Sequence, residues 1–200
     1  MTKPTRIALL LSCLTIVFSC RSEQDDGIKF SDVEQSQSPS IEDFSQLVFT
    51  DAMGKSVKLT DHMTHKYLVL VVTRGWTHSI CLYCASQTSK WARRHHELEP
   101  YDAELVVIFP TGSDQDAELV EELNTRILDG PVANDSIPFP VFLDIDLRSV
   151  DMLGIRAELA KPATYIIDRS GRVRFAYVGQ TIADHPSVDS ILKQLSRMKD

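Results

Sequence analysis

Tyr67 to Thr73 reads YLVLVVT, an unbroken apolar, β-branched run of the kind found in strands buried on both faces. Glu104 to Phe109 repeats that pattern and stops at Pro110. Ala163 to Asp168 and Val173 to Val178 predict two more strands, with Arg169-Ser170-Gly171 as the hairpin turn between them. Gln46 to Thr50 and Ser56 to Leu59 are short extended runs around Asp51-Ala52-Met53-Gly54, a second hairpin signal. Ser79 to about Leu98 lacks Gly and Pro and predicts a helix; Asp114 to Ile127 predicts another, with Ser113 as its N-cap. Pro140 to Leu143 reads as a short strand, Ser149 to Leu153 as a helical turn stopped by Gly154, and Pro186 to Met198 as a closing helix. The order is β-hairpin, β, α, β, α, β, β, α. It argues for an α/β domain: a mixed central sheet with helices on both faces, extended by an N-terminal β-hairpin. The last hairpin makes the far edge antiparallel.

The first residues follow a different pattern. Lys3 and Arg6 precede Ile7 to Phe18, an apolar stretch of 12 residues. That is too short to span a bilayer comfortably but suits the h-region of a signal peptide. The segment ends Val17-Phe18-Ser19-Cys20, which resembles the bacterial lipoprotein signal, with a small residue just before an acylated cysteine. The resemblance implies lipidation at Cys20, and two acyl chains give a stable membrane anchor. Arg21 follows, not Asp, which by the same resemblance favours the outer membrane. Arg21 to Ser40 is polar, acidic and Ser/Gln-rich, with little to bury. The expected organisation is therefore a signal peptide over 1–19, a flexible tether over 20–40, and one domain over 41–200, facing the periplasm.

At 200 residues, 43% hydrophobic and 24% charged, the chain has the composition of a globular protein, which excludes disorder throughout. With no apolar run of about 18 residues it is not a polytopic membrane protein. The formal charge is −7, and loss of residues 1–19 removes Lys3 and Arg6 but no acidic residue, leaving −9. A broad basic surface for nucleic acid is not expected on that balance.

Of the four cysteines, Cys13 lies in the signal and Cys20 at its end, so only Cys81 and Cys84 remain for the domain. They form Cys81-Leu82-Tyr83-Cys84, just after the strand at Tyr67–Thr73 and at the start of the next helix. Helical spacing puts both sulfurs on one side of one turn. The unpaired N–H groups and positive dipole there favour a thiolate, the attacking species in disulfide exchange. Two other uses of the pair stand beside redox exchange. A structural disulfide closing so short a loop constrains little chain entropy. A structural zinc needs two further ligands, and His62, His65, His95, His96 and His185 show no paired spacing. Arg74 and His78 are placed to lower the Cys81 pKa by charge or hydrogen bonding. Trp76 and Tyr83 flank the motif, either as an apolar rim or as packing, and Thr77 is a further candidate to line the site. Lys161-Pro162 directly precedes a buried strand, the ordinary place for a strand-start proline.

From about Ile41 to Leu195 the chain resembles the thioredoxin-like superfamily, in the branch grouping TlpA-like thiol–disulfide oxidoreductases with the alkyl hydroperoxide reductase C/thiol-specific antioxidant (AhpC/TSA) proteins. Four stretches carry the resemblance: FTDAMGKSVKLTD, TRGWTHSICLYC, the strand–helix–strand that follows, and KPATYIIDRSGRVRFAYVG. It implies that Cys81 is the nucleophile and Cys84 the resolving cysteine, and that Pro162 is a cis-proline beside them. It also implies that no metal or organic cofactor is needed and that a periplasmic or membrane redox protein is the partner.

Departures bear on the branch. Peroxiredoxins use Pro-x-x-x-Thr-x-x-Cys, whereas His78 and Arg74 stand three and seven residues before Cys81. They also carry an Arg where this chain has Pro162. Ile80 stands where the usual Trp-Cys-x-x-Cys has Trp. These features favour dithiol–disulfide exchange with partner proteins in the cell envelope. Peroxide reduction at the same cysteines is the alternative, and a non-catalytic binding module on the same fold is a third.

Overall fold

The structure, a computed structural model, describes residues 27–39, 44–76, 80–112 and 137–198. The expected signal peptide, Cys20, Thr77, His78 and the helix expected over Asp114 to Ile127 lie outside these residues.

Seven strands form one sheet: β1 (Val48–Thr50), β2 (Ser56–Lys58), β3 (Tyr67–Val72), β4 (Ala103–Pro110), β5 (Val141–Asp144), β6 (Ala163–Asp168) and β7 (Val173–Val178), in the order β2-β1-β5-β4-β3-β6-β7. The three central pairs run β5–β4 and β4–β3 parallel and β3–β6 antiparallel; the β1–β2 and β6–β7 hairpins close the two ends. This is the expected mixed sheet. Every residue of β3 and β6 is buried, as the continuous apolar runs require.

The two-residue period of β3 divides the core. Tyr67, Val69 and Val71 face a cluster with Trp91 and Ala92 of α1 (Leu82–Arg94) and Ile191 and Leu195 of α3 (Val188–Arg197). Leu68, Leu70 and Val72 face a second cluster with Phe44, Leu47, Leu59 and Val150 of α2 (Arg148–Met152). Both faces are thus covered by helical elements.

Local chemistry fixes the turns. Asp51 Oδ1 accepts the N–H groups of Met53 and Lys55 at 2.9 and 2.8 Å, and Gly54 takes a φ of +77°. Asp168 does the same for the other hairpin, accepting from the N–H groups of Ser170 and Arg172. The helix expected over Ser79 to Leu98 is shorter. Ile80 bridges Trp76 in antiparallel fashion and Cys81 has a ψ of 126°, so helical geometry begins only at Leu82. It ends at Arg94 and passes into a 3₁₀ segment, His95–Tyr101, that contains Pro100.

The expected flexible tether needs correcting over residues 27–39, which lie against the domain. Ser31 and Pro186 form a parallel bridge, and Glu34 pairs with Lys193 at 2.7 Å. Gln37 N–H donates to Ala176 O at 2.8 Å, while Gln37 Oε1 accepts from Val178 N–H at 3.0 Å. The polar composition that suggested a spacer supplies hydrogen bonds to the otherwise open edge of β7. Val33, buried, is the apolar anchor: its N–H donates to Ser190 Oγ at 2.8 Å and its carbonyl accepts from the same hydroxyl at 2.7 Å. Ser190→Ala should therefore leave a buried N–H unpaired at a cost of about 1–3 kcal/mol. Urea unfolding checks the loss, and faster amide exchange at Val33 checks its origin.

Candidate active site

The site forms where β3 and β4 end. Beyond Thr73 the chain turns through Arg74 and Gly75. Gly75 has a φ of +97°, and a Cβ there would lie 2.2 Å from Pro110 O, so no other residue fits. Trp76 N–H donates to Pro110 O at 2.9 Å, and Trp76 also bridges Thr111. These contacts pin the loop to the end of β4 and deliver the chain to α1.

Cys81 is the N-cap of α1, and its carbonyl accepts from Ala85 N–H at 3.0 Å. Both cysteines are free thiols. They differ sharply in surroundings: Cys81 retains 9% exposure, Cys84 none. Arg74 N–H donates to Cys84 Sγ at 3.4 Å. The Cys84 thiol in turn hydrogen-bonds Cys81, and this contact is the largest influence lowering the Cys81 pKa to about 6. Burial opposes it. The amides of Cys84 and Tyr83 and the charge of Arg74 assist, although neither amide closes a capping hydrogen bond to the sulfur. The same contact, burial and the neighbouring thiolate push Cys84 well above the ordinary thiol range. One sulfur thus belongs to a thiol of lowered pKa that keeps a small exposure, and the other to a sealed thiol one turn away.

Arg74 Nη2 also pairs with Glu158 Oε2 at 2.5 Å. Glu158, 84 residues away, was not legible in the sequence, where nothing marks it out. Leu82, between the cysteines, is 69% exposed. Trp76 and Tyr83 are half-buried and pack on the core while bordering the motif.

Pro162 requires a correction. It sits at the same end of the sheet, one residue before the Val72–Ala163 pair, but among the described residues no peptide bond is cis. Hydrogen bonds fix the chain on both sides of a trans bond: Lys161 N–H to Ile155 O at 2.8 Å, and Gly179 N–H to Pro162 O at 2.8 Å. Ala160 N–H is already given to Arg74 O. The Lys161 N–H and the Pro162 carbonyl are therefore both taken up by internal hydrogen bonds. Among the described residues no group of three or more His, Cys, Asp or Glu side chains is arranged to hold a metal.

The AhpC/TSA family profile matches residues 39–176. The chain belongs to the AhpC/TSA family. It is accordingly a thiol-dependent oxidoreductase with a thioredoxin-like fold. Solved structures of three peroxiredoxin relatives share that fold. Peroxidoxin BcpB from Mycobacterium tuberculosis is 14% identical, with a TM-score of 0.58 over 84% of this chain and 99% of its own. Peroxiredoxin 6 of Arenicola marina is 14% identical, with a TM-score of 0.65 over 79% and 72%. Xanthomonas campestris peroxiredoxin Q is 15% identical, with a TM-score of 0.58 over 82% and 100%. A search of curated proteins finds no match.

In this AhpC/TSA protein, thiolate absorbance at 240 nm should titrate with a midpoint near pH 6, and Cys81→Ser should abolish that step. Cys84→Ala should move the midpoint up towards the ordinary thiol value, whereas Cys84→Ser, which keeps a donor, should hold it low. Folding lowers the Cys81 pKa, so its contribution to the stability of the reduced protein is fully present above about pH 8.5. That contribution is lost as the pH falls through 6. Urea midpoints of reduced wild type and Cys81→Ser, compared across pH, should converge on the acid side.

Proposed function

We propose that this protein exchanges its Cys81–Cys84 dithiol for a disulfide with partner proteins in the cell envelope. The observation that supports this reading best is the asymmetry of the pair: a Cys81 of low pKa that keeps 9% exposure, hydrogen-bonded to a fully sealed Cys84. The Cys81 thiolate attacks one sulfur of a partner disulfide, forming a mixed disulfide and releasing the partner's other sulfur as a thiolate. Cys84 then gives up its proton and attacks Cys81 Sγ. The intramolecular disulfide forms and the second partner sulfur leaves. Two electrons pass to the partner, whose sulfurs leave as thiols once they take up two protons. Run backwards, the same steps oxidise a partner. Lowering the Cys81 pKa stabilises the reduced form and makes the disulfide a stronger oxidant.

Peroxide reduction is the second reading, favoured by the AhpC/TSA family match and the peroxiredoxin fold neighbours. There the Cys81 thiolate attacks a peroxide oxygen, giving a sulfenic acid and an alcohol or water. Cys84 condenses with the sulfenic acid to a disulfide and releases water.

Stopped-flow oxidation of the reduced protein, followed by Trp76 fluorescence, separates the two. Exchange predicts a hydrogen peroxide rate no better than free cysteine and a faster reaction with a protein disulfide, both lost in Cys81→Ser. A peroxide rate far above free cysteine, abolished by Cys81→Ser, overturns the exchange reading in favour of peroxidase activity.

The export signal and Cys20 support a membrane-anchored protein facing the periplasm, with the outer membrane favoured. Cys20→Ser should move it from the membrane fraction to the soluble fraction of an expressing bacterium. Retention in the membrane would count against the lipid anchor.

A further inference from the structure

The loop from Ile155 to Lys161 packs on the two residues that carry the chain into the CxxC. Ala160 N–H donates to Arg74 O at 3.2 Å, and a Leu159 methyl lies 3.0 Å from the position a Gly75 Cβ would occupy. The loop is closed on itself by the Arg156–Ala160 bridge and by Lys161 N–H to Ile155 O. Arg156 is engaged by Asp151 at 2.7 and 2.6 Å, so it does not draw on Glu158. Glu158 instead holds Arg74, at 2.5 Å, with 66% of its own side chain exposed and only 24% of that of Arg74. Arg74 is the cation that acts on Cys81, and its backbone touches Cys84. Among the described residues, the cation that acts on Cys81 is therefore a guanidinium half-buried behind an exposed carboxylate.

We propose that Glu158 is a specificity-determining residue: by pairing Arg74 it damps the attraction of the site for anionic disulfides and peroxides and leaves neutral or cationic segments as its preferred substrates. The inference rests on Cys81 being the attacking thiol. A substrate carrying a carboxylate next to its reactive sulfur or oxygen meets Glu158 before it meets Arg74. A neutral one meets no such barrier, and the −9 charge expected for the processed chain acts in the same direction.

Alkylation of the reduced protein by iodoacetate, an anion, and by iodoacetamide, its neutral analogue, tests this with one thiol and two probes of different charge. Mass mapping assigns the product to Cys81. Glu158→Gln keeps an acceptor for the guanidinium and removes only the charge. It should raise the iodoacetate-to-iodoacetamide rate ratio about threefold, the size of an exposed ion-pair effect. Glu158→Asp should leave the ratio near wild type. Arg74→Gln should lower it, and Glu158→Gln added to Arg74→Gln should have less effect than it has alone. An unchanged or lower ratio in Glu158→Gln, or a full rise that persists without Arg74, overturns the proposal. A wild-type Cys81 alkylated no faster than an ordinary thiol at pH 7 overturns the nucleophile assignment and this inference with it. A fast wild-type Cys81 with an unchanged ratio in Glu158→Gln overturns this inference alone.

Discussion

Cys84 lies where water does not reach, so its sulfur is satisfied only by groups that the fold brings to it. Those are the Arg74 N–H at 3.4 Å, the Gly75 amide and the Cys81 sulfur. A sealed thiol holds its proton, and a thiol that holds its proton is a donor. The donated hydrogen bond is what makes Cys81 acidic. The difference between the two cysteines therefore rests first on the hydrogen bond between them and next on the deeper burial of Cys84. In the exchange proposed above, the slightly exposed sulfur would attack, and the sealed one would resolve once a mixed disulfide had removed the negative charge beside it.

That burial is secured by the sheet. Cys84 belongs to the cluster on one face, with Val69, Val71, Val107 and Trp91. The loop before it is clamped to the end of β4 through Pro110 and Thr111. Gly75 permits the close approach, since any side chain would collide with Pro110 O. On the far side of the sheet the second cluster, with Leu68, Leu70 and Tyr165, keeps β3 and β6 from moving relative to each other. The residues at the N-terminus of the domain close the exposed edge of β7, which keeps it from pairing with another chain.

The likeness to peroxiredoxins is a likeness of scaffold, and chemistry belongs to the site built on it. Here the site holds a second cysteine one turn along the helix, a trans Pro162 whose neighbours are internally bonded, and an arginine drawn from the loop before the cysteines. Arg74 joins three roles through different atoms. Its N–H supports Cys84, its carbonyl holds the Ile155–Lys161 loop, and its guanidinium supplies charge near Cys81.

Much of this was written in the order of residues. The continuous apolar runs at Tyr67 and Ala163 marked fully buried strands, because only a strand covered on both faces lacks polar alternation. The spacing of Cys81 and Cys84 placed the two sulfurs side by side at a helix start, because one helical turn brings them together. What local sequence did not carry was anything settled by groups far apart along the chain. Residues 27–39 read as a spacer because they are polar, and only the packed structure shows their polar atoms meeting Ser190, Ala176 and Val178, some 140 or more positions away. Pro162 matched a motif, but its peptide bond is trans, with Lys161 N–H donating to Ile155 O and Gly179 N–H to Pro162 O. Glu158 had no signal at all, since its meaning lies wholly in standing 2.5 Å from Arg74. Periodicity determines which face of an element is buried; which charge faces which sulfur is decided only when the elements pack.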